Sequence, residues 1–286
     1  MRLLVFGRTG QVARELQRSI PLGTEAEFLG RDQVDVAIAG NCADAIMRRR
    51  ADIVVNATAW TAVDRAESEP EAAWSVNATA PGEMAKACDL KKIPFIHLST
   101  DYVFAGTGTR AQEPGDALGA VNVYGKSKAA GEAAISASGG KHLVLRTSWV
   151  FSSWGNNFVK TMLKLGLERK QLRIVSDQVG GPTPASAIAV AIIKAATAMH
   201  SGAPGGIHHF AGAPDTSWSG FAREIFRQAS LDVQVDNILT TDYPTPAKRP
   251  LNSRLCCKSF NSAFGIERPD WRAGLAIVLQ ELGVSK

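Results

Sequence analysis

Cysteine is scarce in this 286-residue chain, with four in all, at positions 42, 88, 256 and 257. Adjacent Cys256 and Cys257 do not make a C-x-x-C pair, so no metal-type spacing is present and no disulfide framework is implied. Cysteine used so sparingly fits a reducing cytosol, which is the compartment expected here. Long apolar runs are also missing. The most apolar helical stretch, 185–199, is alanine-rich and interrupted by Lys194, so no membrane span is expected. The N-terminal MRLLVFGRTG has only a short apolar run before Gly7, too short for a signal peptide. A strong charge of one sign is absent too. Lys plus Arg is 32 against 27 Asp plus Glu, and only RRR at 48–50 and KK at 91–92 form runs. A scattered excess of +5 is a solvated surface and not a nucleic-acid footprint, though it suits small anionic ligands. Internal repeats and low-complexity tails are likewise missing, and 45% hydrophobic with 21% charged residues describes an ordinary globular chain.

What the first half does have is rhythm. RLLVF (2–6), EAEFL (25–29), DIVVN (52–56), PFIHLST (94–100) and HLVLRTSWVF (142–151) read as buried strands. Helical segments lie between them: GRTGQVARELQRS, ADAIMRRR, a long helix over 71–90 despite Pro81 and Gly82, and YGKSKAAGEAAISAS. Such β–α alternation predicts a doubly wound α/β fold, a parallel sheet covered by helices on both faces. The expected division is a dinucleotide-binding domain over 1–150 and a smaller α/β, mainly substrate-binding, region over 151–286. Some segments of the latter are expected to return to the first. In that second region GNNFVKTMLKLGLE, TSWSGFAREIFRQAS and PDWRAGLAIVLQEL read as helices, the second capped by Thr216 or Ser217. DQVGGPTPAS and YPTPAKRP read as loop and extended chain.

Four stretches carry chemistry. Between the first strand and first helix stands G-x-x-G-x-x-A: Gly7, Gly10, Gln11, Val12 and Ala13. Glycines there let the backbone turn tightly and approach a pyrophosphate that the helix N-terminus attracts. After the second strand comes GRDQVDV, where an arginine accommodates the 2′-phosphate of NADPH and an acid would hold the 2′-hydroxyl of NADH. Arg31 favours NADPH, with NADH possible, and Asp35 is a further candidate contact; the plainer reading is that Arg31 is merely exposed. Asn56 begins NATAW, whose small residues leave room for a nucleotide, or else it simply caps its strand. Finally, Tyr124 and Lys128 are i and i+4 on a helix and share a face. A nearby ammonium lowers a phenol's pKa toward useful acid–base range. The strand end Ser99-Thr100 adds a hydroxyl, and together these are the groups needed around a carbonyl receiving hydride.

With these residues the chain resembles the extended short-chain dehydrogenase/reductases, and more narrowly the dTDP-4-dehydrorhamnose reductases among them. The matching stretches run in order from residue 6 to 271: FGRTGQVARELQ, DIVVNATAWTAVDRAESEPEAAW, HLSTDYVFAG, NVYGKSKAAGE, RTSWVF, GNNFVKTML, DQVGGPT, YPTPAKRPLNSRL and PDW. The resemblance implies NADPH-dependent reduction of a 4-keto group on a dTDP-sugar. Tyr124 is then the proton donor, Lys128 holds the nicotinamide ribose, and Thr100 bonds the same oxygen. Asp101 and Trp149 are implied to touch the sugar, and Ala59, Trp60 and Thr61 to lie near the cofactor ribose. Plainer readings stand beside these: Trp149 as core, Asp101 as a turn former, Lys248 and Arg249 as surface instead of diphosphate contacts. Ala120 replaces a familiar proline, and Trp60 a familiar histidine. Some relatives hold magnesium through acidic residues at a dimer contact. Glu15 and Glu281 match two such positions, but the third is Ser186, so no metal and a monomer or weak homodimer are expected. Two other functions use the same motifs: a nucleotide-sugar epimerase, which consumes no net NADPH, and a non-catalytic dinucleotide-binding regulatory subunit.

Overall fold

Residues 1–284 are described by a computed structural model. Six parallel strands form the central sheet, in the spatial order Gly206–His209, β5 (His142–Thr147), β4 (Phe95–Thr100), β3 (Ile53–Asn56), β1 (Arg2–Phe6) and β2 (Glu25–Leu29). Strand order reverses between β1 and β3, so their C-terminal ends border the crevice in which such sheets take ligands. β1, β3 and β5 are almost wholly buried, which is why they read as unbroken apolar runs.

Both faces are covered. On one, Val12 and Leu16 of α1 (Gln11–Ser19) pack with Ile188, Ile192 and Met199 of the helix Ala185–His200 against Leu3, Val5, Ile53 and Val55. On the other, α2 (Asn41–Arg48) and the helix Ala80–Lys91 enclose Leu4, Phe6, Val54 and Phe95. A second apolar core, including Val159, Met162, Phe221, Phe226, Trp271 and Leu275, joins the helices Phe158–Glu168, Trp218–Gln228 and Trp271–Glu281 to the strand pair Gln171–Val175 and Gln234–Ile238. Helix Ala185–His200 and strand Gly206–His209 thus come from the second half of the chain yet build the first core. Ser217 is the cap of its helix, its hydroxyl accepting from the Gly220 N–H.

Two elements differ from expectation. The stretch 142–151 is not one strand. β5 stops at Thr147, Trp149 takes a left-handed backbone (φ 49°), and Val150–Phe151 pairs with Thr183–Pro184. The expected helix over 71–90 is interrupted by a π-helical turn at Ser75–Thr79, after which Pro81 sits in the first turn of Ala80–Lys91, where its missing N–H costs little. Among the described residues no helix is long and apolar enough to cross a membrane.

Candidate active site

The crevice begins at Gly7, whose φ of +112° and closeness to β3 exclude a side chain: a Cβ would stand 3.2 Å from the Ala57 carbonyl oxygen. Gly10 is the N-cap of α1, exposed and without a side-chain cap, so the first N–H groups of the helix are open to an anion. Val12 and Ala13 are buried and hold the helix against the sheet. Gln11 is turned aside, its Oε1 accepting from Ser152 Oγ (2.9 Å) and Asn157 Nδ2 (3.0 Å), and so ties the turn to the second region.

Beyond β2, the Arg31 side chain is 85% exposed and pairs with Asp35 at 3.1 Å. That pairing and an accepted hydrogen bond from the Ala37 N–H hold the Asp35 carboxyl below its usual range, the backbone bond being the larger cause. Arg8, from inside the glycine turn, pairs with Asp32 at 2.8 Å and lies over Gly30, where an added Cβ would meet its guanidinium at 2.9 Å. Two arginines therefore gather at the end of β2. Ala59 and Thr61 are exposed in the loop after β3. Trp60 between them is fixed by Asn77, which accepts from its N–H (2.9 Å) and donates to its carbonyl (3.1 Å).

At the C-terminal end of β4, the Thr100 hydroxyl donates to Asp101 Oδ1 (3.0 Å) and accepts from the Tyr102 N–H (3.2 Å). Asp101 is buried, and desolvation pushes its carboxyl up to about 6; interactions with Ser253 and Thr100 pull the other way. Its Oδ2 has no hydrogen-bond partner among the described residues. A buried acceptor without a partner in a crevice wall is poised for a ligand donor.

Helix Val123–Ser136 brings in Tyr124 and Lys128. It begins at Asn122, whose Oδ1 accepts from the Gly125 N–H at 2.8 Å, and Gly125 lets it pass against the Tyr102 carbonyl, where a Cβ would collide. The expected lowering of the Tyr124 phenol is not what the site shows, because burial raises it. Lys128 Nζ donates to the Leu98 carbonyl (2.6 Å) and lies 2.9 Å from His97 Nε2. The Tyr124 phenol is pushed up to about 12 by burial, with Thr100 acting in the lowering direction and the Asp101 charge in the raising one. The phenol therefore stays protonated at neutral pH and can serve as an acid. Lys128 itself is pushed down to about 8 by burial, against the raising influence of Glu132. Glu132 is engaged elsewhere: it accepts from Ser99 Oγ (2.5 Å) and pairs with the buried Arg146 at 2.6 Å.

Next to these residues opens a cavity of about 700 Å³, lined by Tyr102, Phe158, Arg173, Gln178, Trp218 and Arg249 among others. Trp149 is half-buried and stacks on Trp218 with centroids 3.6 Å apart, so it supports the ring that forms the wall. Arg249 pairs with Asp64 at 2.7 Å, and the Lys248 carbonyl accepts from Asn122 Nδ2 at 2.7 Å. Away from the crevice, Arg18 lies 2.7 Å from Glu281 and 3.5 Å from Glu15, and Trp154 Nε1 donates to Glu15 at 3.0 Å.

Comparison with known proteins gives the family of the chain. The family model described as RmlD substrate binding domain matches residues 1–284. A dTDP-4-dehydrorhamnose reductase of Escherichia coli K12 is 42% identical, covering 99% of this chain and 98% of its own. The chain belongs to the dTDP-4-dehydrorhamnose reductase family. Two solved structures of that name extend the likeness to the fold. The one from Clostridium acetobutylicum has a TM-score of 0.93 at 31% identity, covering 99% of this chain and 100% of that one. The one from Bacillus anthracis, in complex with NADP, has 0.91 at 30%, covering 98% and 99%. Within this family site, sequence reasoning missed Arg8, His97, Asn77 and Trp218. Arg8 was discoverable as the basic residue inside the glycine turn. The other three have no local signal, because each acts on an element far away in the chain.

Proposed function

We propose that this chain reduces the 4-keto group of dTDP-4-dehydrorhamnose to give dTDP-L-rhamnose, with NADPH as the reductant, in the cytoplasm. Its relatives of that name and the NADP held by the Bacillus anthracis structure support the substrate and cofactor classes. The observation that supports the reading is Thr100, Asp101 and Tyr124 at the end of β4, with Lys128 on the same helix as Tyr124 and a glycine turn after β1 whose φ disfavours a side chain. Residues 1–150 serve mainly the dinucleotide and 151–286 mainly the substrate, apart from the segments that return to the first sheet.

The residues present fit the cofactor. Gly7, Gly10, Gln11 and Val12 form the diphosphate turn, Arg31 and Arg8 face the 2′-phosphate with Asp35 alongside, and Ala59, Trp60 and Thr61 border the ribose. NADPH, when bound, supplies the hydride. The protein's part is to place and neutralise the carbonyl oxygen. Thr100 Oγ1, turning its proton from Asp101, and the Tyr124 phenol donate to that oxygen as negative charge develops, and Tyr124 hands over its proton. Donors held beside the charge that develops stabilise the transition state more than the ground state. The orphan Asp101 Oδ2 accepts a sugar hydroxyl. Arg173 and Arg249, with Trp218 backed by Trp149, supply the charge and flat surface that a nucleoside diphosphate needs in the adjoining cavity. The test is NADPH oxidation by the purified protein with dTDP-4-dehydrorhamnose, with the product identified. Epimerised sugar without net NADPH consumption would overturn the reading in favour of an epimerase, and inertness in favour of a binding subunit.

A further inference from the structure

The loop that borders the cofactor and the segment that lines the sugar cavity meet at one carboxylate. Asp64 comes shortly after Thr61, in the first turn of the short helix Val63–Ser68. Its Oδ2 accepts from Arg249 Nη2 at 2.7 Å, and its Oδ1 accepts from Arg249 Nη1 and from the Ala247 N–H, both at 3.1 Å. Arg249 holds the Asp64 carboxyl below the usual carboxylate range. Exposed ion pairs add little to stability. The surroundings set this one apart. Ala247 is buried, the Arg249 side chain is only 23% exposed, and Arg249 Nη1 also donates to Thr245 Oγ1 (2.5 Å) and to the Ala247 carbonyl (3.1 Å).

A planar guanidinium has two edges, each with paired N–H donors that match an anion. Asp64 takes the Nη1/Nη2 edge. On the other edge, Nε donates to no acceptor among the described residues, and both Arg249 and Thr245 line the cavity. A guanidinium held by one edge and open at the other is shaped for a phosphate. An arginine fixed before binding also loses less rotamer freedom when the anion arrives. Asp64 is itself held from the cofactor side. Asn77 clasps the Trp60 N–H and carbonyl, the Trp60 indole N–H donates to the Ala62 carbonyl at 3.2 Å, and the Arg65 guanidinium lies 5.0 Å from the centre of a Trp60 ring. On the other side Pro244, Pro246 and Pro250 stiffen the segment that carries Arg249. Its Lys248 carbonyl accepts from Asn122, the cap of the helix bearing Tyr124. Little slack separates the loop 59–61 from Arg249.

We propose that Asp64 is a positioning residue that sets Arg249 for the substrate diphosphate and, through the loop 59–61, makes binding of NADPH and of the dTDP-sugar mutually favourable. Whichever ligand binds first orders the path from loop to Asp64 to Arg249, and the second meets a partner already in place. Linkage makes the effect reciprocal: each ligand tightens the other by the same factor. The inference deepens the proposed reductase reading and rests on it for the identity of the two ligands. One effect opposes it. The Asp64 charge partly cancels that of Arg249, so if charge alone mattered, removing the carboxylate would tighten the diphosphate.

The experiment is calorimetric titration with dTDP and NADP+, which bind without turnover. In the parent protein, saturating NADP+ should tighten dTDP by about 5-fold or more, and saturating dTDP should tighten NADP+ by the same factor. Asp64→Ala should weaken dTDP by about 5- to 30-fold, the range set by arginine rotamer freedom, and bring the coupling factor to about one. Arg249→Ala should also lose dTDP affinity. The double variant should then bind dTDP no more weakly than Arg249→Ala, because Asp64 acts only through that arginine. A merely structural Asp64 would lower Tm, leave the coupling factor in place and give additive losses. Should Asp64→Ala not fold, Arg249→Lys, which keeps the charge without the fork, must itself bring the coupling factor toward one. Independent binding of dTDP and NADP+ to the parent, unchanged or tighter dTDP binding by Asp64→Ala, or additive losses overturn the inference and leave the reductase reading standing. A parent protein that binds neither ligand contradicts the reductase reading, and the inference with it.

Discussion

Replacing Arg31 by alanine tests how the cofactor is chosen. Arg31 stands at the end of β2 with 85% of its side chain exposed, and among the described residues it pairs with Asp35 at 3.1 Å. A charge-assisted contact with the 2′-phosphate is worth about 1.5–3 kcal/mol. An exposed ion pair contributes little, about 0.5 kcal/mol, and that is what the phosphate must outcompete. The difference is roughly 1–2.5 kcal/mol, or about a 5- to 60-fold loss in kcat/KM for NADPH. NADH lacks the 2′-phosphate and should be unaffected within about twofold. Steady-state kinetics with both cofactors on parent and variant give the answer. Arg8 makes the comparison sharper, because it reaches the same strand end through its pair with Asp32. Arg8→Ala should produce a loss of the same kind, and the double variant should favour NADH. An equal loss for both cofactors in Arg31→Ala would show that this arginine does not discriminate and would refute the reasoning.

Other outcomes follow from the site. Tyr124→Phe should leave NADPH affinity near normal and cut kcat by about 100- to 10,000-fold, as removal of a general acid does; retention of activity within about threefold sinks the assignment. Trp149→Ala removes the stack behind Trp218 and should raise KM for the nucleotide sugar about 2- to 12-fold; a large fall in Tm with unchanged KM would make Trp149 plain core. The Asp101 carboxyl has a folded pKa of about 6 against an ordinary 3.8, so its contribution to stability is complete below the lower value and lost as pH rises through the higher. Asp101→Asn should therefore raise Tm above about pH 6 and give little gain in mild acid, while impairing turnover; a gain in acid alone contradicts the burial argument. Chelation by EDTA should change neither turnover nor size-exclusion elution, since Arg18 already spans Glu15 and Glu281; activity lost on chelation and restored by magnesium refutes it.

The parts of the fold visible in the sequence are those governed by local rules. Parallel strands buried on both faces announce themselves as apolar runs, and LLVF and IVV do so. The sixth strand, Gly206–His209, is GIHH and carries no such run; its place beside β5 comes from the sheet and not from its own residues. The break after Thr147 was hidden for a related reason. TSWVF has strand composition, but Trp149 adopts a left-handed backbone so that its ring can meet Trp218, a residue of a distant helix.

The same division runs through the active site. Spacing alone placed Tyr124 and Lys128 on one helix face, and Ser99-Thr100 at a strand end beside them. What spacing leaves open is where a long side chain points once there. Lys128 has three carbons between Cβ and Nζ, enough to reach either Tyr124 or β4, and the choice belongs to groups with which it shares no local sequence. His97 looks like one more residue in a buried strand until β3 and β4 pair in the register that sets Asn56 opposite it. Asn56 looks like a strand cap until Thr58 fixes its amide. Each of these contacts is an ordinary consequence of strand pairing, and together they hold the lysine amine against β4. A helical i, i+4 pair therefore predicts that the two residues share a face, while the partners the lysine meets are set by the strands beneath it.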